Sequence, residues 1–133
     1  MKVVLDANVL IAAFATRGLC NSLLELCIQS HELILSSDIL AETERHLLGK
    51  IKLPKATVAD TIHYLKSQSK IMEPAVVDRN SCRDPNDLHV LGLAVKARPD
   101  CIVTGDDDLL SLKLFDGIPI RSPREFWLML RPT

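Results

Sequence analysis

The sequence predicts an α/β fold: a three-layer sandwich, with helices on both faces of a mostly parallel sheet of four or five strands. Short apolar runs alternate along the chain with longer stretches whose apolar residues recur at helical spacing. Two of those runs also end directly in aspartate, at Asp6 and, after a glycine, at Asp106. An open parallel sheet binds its ligands outside the carboxyl ends of its strands, so acids there point to a site.

In order, residues 2–5 read as a short buried strand. It runs into Asp6-Ala7-Asn8 and a helical apolar stretch over 9–15, which Thr16-Arg17-Gly18 breaks. Ser22 and Glu25 stand at capping-box spacing and predict a second helix carrying Leu23, Leu24, Cys27 and Ile28. Residues 32–35 form the next strand. Ser36-Ser37-Asp38 starts a helix that runs to about residue 48. Pro54 suits the first turn of another helix, with Val58, Ile62 and Leu65 on one face. Asp84-Pro85 opens a helix through about residue 96, and residues 100–104 are a strand. Gly105-Asp106 turns into a short helix around 109–112, and 117–120 is a last short strand. Ser122 and Glu125 form a second capping box, with Pro123 at the first helical position. The helix it opens carries Phe126, Trp127 and Leu130.

A chain of 133 residues that is 47% apolar can bury one sizeable core, and no linker, repeat or low-complexity stretch divides it. No apolar run approaches the roughly 20 residues of a membrane span. No basic-then-apolar leader precedes the first strand, so the expectation is a cytoplasmic protein with no membrane attachment. Cys20, Cys27, Cys82 and Cys101 make no CxxC pair and no zinc spacing, which predicts reduced and mostly buried thiols. The net charge of −1 argues against a high-affinity duplex binder. It argues less against an enzyme that touches nucleic acid briefly, given the local cations Arg17, Lys50, Lys52, Lys55, Arg79 and Arg83.

The acids carry the chemistry. Besides Asp6 and Asp106, the candidates are Glu42, Asp84, Asp87, Asp107 and Asp108, all at or near helix starts that leave or flank the sheet edge. Carboxylates gathered without matching cations repel one another and are costly to desolvate. A hard divalent cation resolves both problems, and Mg2+ or Mn2+ prefers oxygen ligands. Several of these acids have a plainer role open to them. Asp84 suits an N-cap before Pro85, Asp87 and Asp107 suit the helix dipole, and Asp106 suits the cap of the short helix. Three consecutive aspartates exceed what one helix end requires, and an apolar strand ending in Asp6 calls for a partner. Asn8 either hydrogen-bonds Asp6 or starts the first helix. His31, His46, His63 and His89 show no mutual metal spacing and read as structural or exposed. Neither a Ser/His or Cys/His nucleophile pattern nor a glycine-rich phosphate loop is present.

Four segments in this order resemble the PIN-domain nucleases, in particular their toxin-like, VapC-related branch. They are Val3-Val4-Leu5-Asp6-Ala7-Asn8, Ser37-Asp38-Ile39-Leu40-Ala41-Glu42, Arg83-Asp84-Pro85-Asn86-Asp87 and Val103-Thr104-Gly105-Asp106-Asp107-Asp108. The resemblance covers nearly the whole chain and implies one nuclease domain over 1–133. It implies catalytic acids at Asp6, Glu42, Asp87 and Asp106, and metal ligation by Asp6, Asp87, Asp106 and Asp108. Asn8 and Thr104 match the polar residues behind them. The implied activity is Mg2+- or Mn2+-dependent cleavage of RNA, by a homodimer held in check by an antitoxin protein. The third segment carries fewer acids than relatives often do, which leaves open which acid there meets metal. Leu23, Leu24 and Ile28 are candidates for the dimer contact. A non-catalytic scaffold of the same fold would act by protein binding alone, and the intact acids speak against it. A haloacid-dehalogenase-like phosphatase needs a second aspartate where Asn8 stands, and a receiver domain needs paired acids after the first strand.

Overall fold

The computed structural model describes residues 1–130. Its sheet has six strands in the order β3-β2-β1-β4-β6-β5. They are β1 (Lys2–Leu5), β2 (Glu32–Leu35), β3 (Lys70–Ile71), β4 (Cys101–Val103), β5 (Leu114–Phe115) and β6 (Ile118–Arg121). All neighbours are parallel except β5, which pairs antiparallel with β6. The helices are α1 (Ala7–Ala15), α2 (Leu19–Ser30), α3 (Ser37–Gly49), α4 (Lys55–Gln68), α5 (Leu88–Ala97), α6 (Asp107–Leu110) and α7 (Pro123–Leu130).

From β1 the chain steps through β2 to β3 on one side, then returns through α5 to β4 on the other side of β1. Right-handed crossovers running in opposite directions lay their helices on opposite faces, which gives the three layers. On one face α1 packs against α2 and α3, α3 against α4, and α2 against α7. Val3, Val4 and Leu5 are fully buried, as are Leu33, Ile34 and Leu35 to within 1%. Strands covered on both faces read as continuous apolar runs, and each such side chain contributes roughly 1.5–3 kcal/mol relative to exposure.

Several starts and ends differ from the sequence expectation. The second helix begins at Leu19 rather than Ser22, whose N–H instead donates to the Gly18 carbonyl at 3.2 Å. The Asn21 side chain donates to the Ala13 carbonyl at 3.0 Å, so the tie to α1 draws the helix start forward. Leu23 and Leu24 are buried in the core, which removes them from the expected dimer contact, while Ile28 packs against the core partly buried. Pro54 sits just outside α4, at its N-cap. Residues 85–87 form a 3-10 turn ahead of α5 instead of its first turn. Two strands went unpredicted. β3 is two residues long and follows directly on α4, with its register set by Ile34↔Lys70 and Leu35↔Ile71. β5 and β6 are joined by Asp116-Gly117, both at positive φ (52° and 81°), the backbone of a type I′ hairpin turn. The capping box at Ser122 and Glu125 forms as expected, with reciprocal bonds of 3.0 and 3.1 Å. The four thiols are free; Cys27, Cys82 and Cys101 are buried. Among the described residues no single helix is long and apolar enough to cross a membrane.

Candidate active site

Strands β1 and β4 lie side by side, and the chain leaves them toward opposite edges of the sheet. The loops after two such strands diverge and leave a crevice between them. Asp6 follows β1 and Thr104 follows β4, so the two meet at the floor of that crevice, both buried. The Thr104 hydroxyl donates to Asp6 Oδ2 at 2.8 Å, and the Ala7 N–H donates to Oδ1 at 2.7 Å. The Asn8 amide adds a bond to Oδ2 at 3.2 Å, while its oxygen accepts from the Gly105 N–H at 2.8 Å. Thr104 Oγ1 in turn accepts from the Asp106 N–H at 3.0 Å. Each of these polar groups therefore has a partner inside the protein, and the loop after β4 is stitched to the loop after β1. Burial pushes the Asp6 carboxyl above its ordinary range. The bonds from Thr104 and Ala7 oppose that rise, Glu42 reinforces it, and His89 opposes it.

In front of this floor stand the other acids. One carboxylate oxygen each from Asp84, Asp87 and Asp108 lies within 4.8 Å of the other two. Asp84 also caps the 3-10 turn, accepting from the Asn86 N–H at 2.9 Å. Asp106 caps α6, accepting from the Leu109 N–H at 3.1 Å. Asp87 carries the strain of the cluster. Its carboxyl is pushed up to about 8, first by burial, then by a hydrogen bond to Asp106 and the charges of Asp106, Asp6 and Asp84. Its Oδ2 is buried without a hydrogen-bond partner. An unsatisfied buried carboxylate oxygen among all-oxygen anionic donors fits a hard divalent cation.

Glu42 faces the site from α3, across from the N-terminus of α5. Its Oε2 lies 3.8 Å from His89 Nε2. Of the four ligands expected from sequence, Asp87 and Asp108 fall in the converging trio. Asp6 and Asp106 fall outside the trio: both Asp6 oxygens and Oδ2 of Asp106 accept from the protein's own donors. Asp107 is exposed and outside it.

One residue of the site lies outside the sequence reading, and one stands differently from it. Asp84, a candidate acid whose plainer role is a cap and which the motif resemblance leaves out of the ligand set, both caps the turn and converges with Asp87. Residues three apart eclipse one another in a 3-10 turn, and that signal becomes readable once the turn is known. His89 faces Glu42 and acts on Asp6 from α5; nothing in its spacing marks it.

The profile of a family described as PIN domain matches residues 2–108. Among solved structures, the chain is similar to one in the crystal structure of VapBC2 from Rickettsia felis bound to a DNA fragment from their promoter. The TM-score is 0.64 at 15% identity, over 92% of this chain and 98% of that one. A search of curated proteins finds no match.

Proposed function

This chain belongs to the PIN-domain family, and from that premise we propose that it is an endoribonuclease dependent on Mg2+ or Mn2+, acting as the toxin of a toxin–antitoxin pair. The observation that carries the metal-dependent reading is the buried, unpartnered Oδ2 of Asp87 among Asp84, Asp106 and Asp108. Asp84, Asp87 and Asp108 would hold the ion, with Asp6 and Asp106 behind them. A divalent cation there supplies an acidified water and offsets charge on the scissile phosphate.

The chain's own residues do the rest. Thr104 and Asn8 fix the Asp6 carboxylate in one orientation, so it does not have to be ordered when substrate binds. Glu42, on the facing wall, is an acceptor for the proton released by an attacking water. The crowded acids repel a phosphodiester until a cation balances them, so substrate binding and metal binding support each other.

The toxin role and an antitoxin partner rest on the likeness to the VapBC2 chain and on the motif resemblance. A homodimer is part of the same reading. With Leu23 and Leu24 in the core, its contact falls to exposed apolar side chains such as Leu128 and Met129 on α7. Light scattering should give twice the chain mass; a monomer at high micromolar concentration removes this part.

The test of the activity is cleavage of mixed single-stranded RNAs. The wild type should cut in Mg2+ and stop in chelator. Asp6→Asn, which keeps the helix cap, should lose about a hundredfold or more. Undiminished cleavage by Asp6→Asn, or cleavage in chelator, refutes the mechanism.

A further inference from the structure

Beside the acid cluster runs an open cleft of about 450 Å³ that the proposed mechanism leaves without a role. One wall is a stripe of α3, made of Asp38, Ala41, Glu42 and Arg45, at the i, i+3, i+4, i+7 spacing of a single helix face. Asn86 and His89, from the 3-10 turn and the first turn of α5, form the other wall. Glu42 lines the cleft 3.8 Å from His89. Asn86 belongs to the same 3-10 turn as Asp87, so the cleft borders the acid cluster.

Its chemistry is specific. Arg45 makes no ion pair among the described residues, although acids crowd the neighbouring pocket. His89 Nδ1 is a buried ring nitrogen without a hydrogen-bond partner. Ala41 is the one apolar residue among those lining the cleft, so a protein segment would find little to bury there. A free guanidinium beside an imidazole and an amide suits a phosphate with its attached nucleoside.

We propose that this cleft is the subsite for the RNA strand next to the scissile bond: Arg45 holds the adjacent phosphate, and His89 with Asn86 receives that nucleotide's sugar or base. The inference rests on the nuclease reading above. Arg45 lies three residues beyond Glu42, about 4.5 Å of helix rise. Arg45 and Glu42 thus line the same cleft one helical turn apart, so a strand bound at the acids passes the guanidinium. Asp38, near the other end of the stripe, repels phosphate and sets a direction along the cleft.

The test uses a labelled single-stranded RNA 12-mer. Anisotropy in Ca2+, with the RNA checked for integrity, gives affinity, and cleavage in Mg2+ gives KM and kcat. Arg45→Gln should weaken binding and raise KM about fivefold to tenfold, with kcat within twofold and an unchanged melting temperature. Its log–log salt slope should fall by about 0.7, the loss of one single-strand phosphate contact. Asp38→Asn should tighten binding, and Lys66→Gln, a cation of α4 outside the cleft, should leave the slope unchanged. Unaltered affinity, KM and slope in Arg45→Gln overturn the proposal. If the wild type cleaves no RNA, the nuclease reading fails and the anisotropy still decides. Weaker binding by Arg45→Gln then supports the cleft as an RNA-binding site without cleavage, and equal or absent binding overturns it.

Discussion

The floor and the front of the site are both acidic, yet they are built on opposite principles. At the floor, Asp6 is almost wholly buried, and Ala7, Asn8 and Thr104 all donate to it. At the front, Asp87 keeps a buried oxygen with no donor, and the charges of three other aspartates press on it. The floor is complete as a protein structure. The front is complete only with something positive in it. A polar group that is buried and fully bonded stabilises and fixes its surroundings, whereas one left unmatched costs stability that a ligand can return. Order and binding capacity are thus divided between two neighbouring sets of side chains.

The sharpest way to break this comparison is to cut the floor. Thr104→Val keeps the shape and removes the hydroxyl that donates to Asp6 and accepts from the Asp106 N–H. Leaving buried partners unsatisfied costs about 1–3 kcal/mol, or roughly 4–10 °C in Tm for a domain of this size. The loss should appear with and without metal. A variant as stable as wild type would mean that the floor is no more fixed than the front.

A smaller effect, of opposite sense, is expected at the front. Magnesium at ten times its dissociation constant should stabilise the wild type by about 1.4 kcal/mol, on the order of 5 °C. Asp87→Asn should be more stable than wild type in chelator and should lose most of the magnesium shift. Asp60→Asn, an exposed acid on α4, should keep all of it. Equal shifts in wild type and Asp87→Asn, read from paired melting curves, would take Asp87 out of the metal site.

The crowding at the front should also show in the pH dependence of stability. Folding raises the Asp87 carboxyl from 3.8 to about 8, so the fold favours its protonated form. The stability this contributes is fully present below about pH 4 and is lost as pH rises through 8. Asp6 is raised too and acts in the same direction. Metal-free protein should therefore melt lower at pH 8.5 than at pH 5, and the drop should be shallower in Asp87→Asn. In magnesium the trend should weaken, because the ion binds the deprotonated acids. An identical pH profile for the two proteins in chelator would show that Asp87 is not crowded.

The sequence by itself determined the elements whose signals are local and redundant. The apolar runs at β1, β2 and β4 are strands because strands covered on both faces have no polar side to show. Ser36 caps α3 and Ser122 caps α7 because a hydroxyl at the N-cap reaches a free N–H three residues on. Asp6, Asp87, Asp106 and Asp108 are legible for the same reason, as acids beside a recognisable strand end or helix start, whereas Glu42, in the middle of α3, is marked only by the motif resemblance. The Asp116-Gly117 turn is equally local, but the two-residue strand before it carries no apolar run to mark a hairpin.

What only the tertiary structure decided lies between segments distant in sequence. That β1 sits beside β4 puts Thr104 on Asp6, 98 residues away, and makes a buried acid tolerable. The approach of α5 to α3 puts His89 opposite Glu42 and opens the cleft holding Arg45. A side chain's burial, and with it the choice between a satisfied carboxylate and a crowded one, depends on what packs across from it. No spacing along the chain encodes that distance.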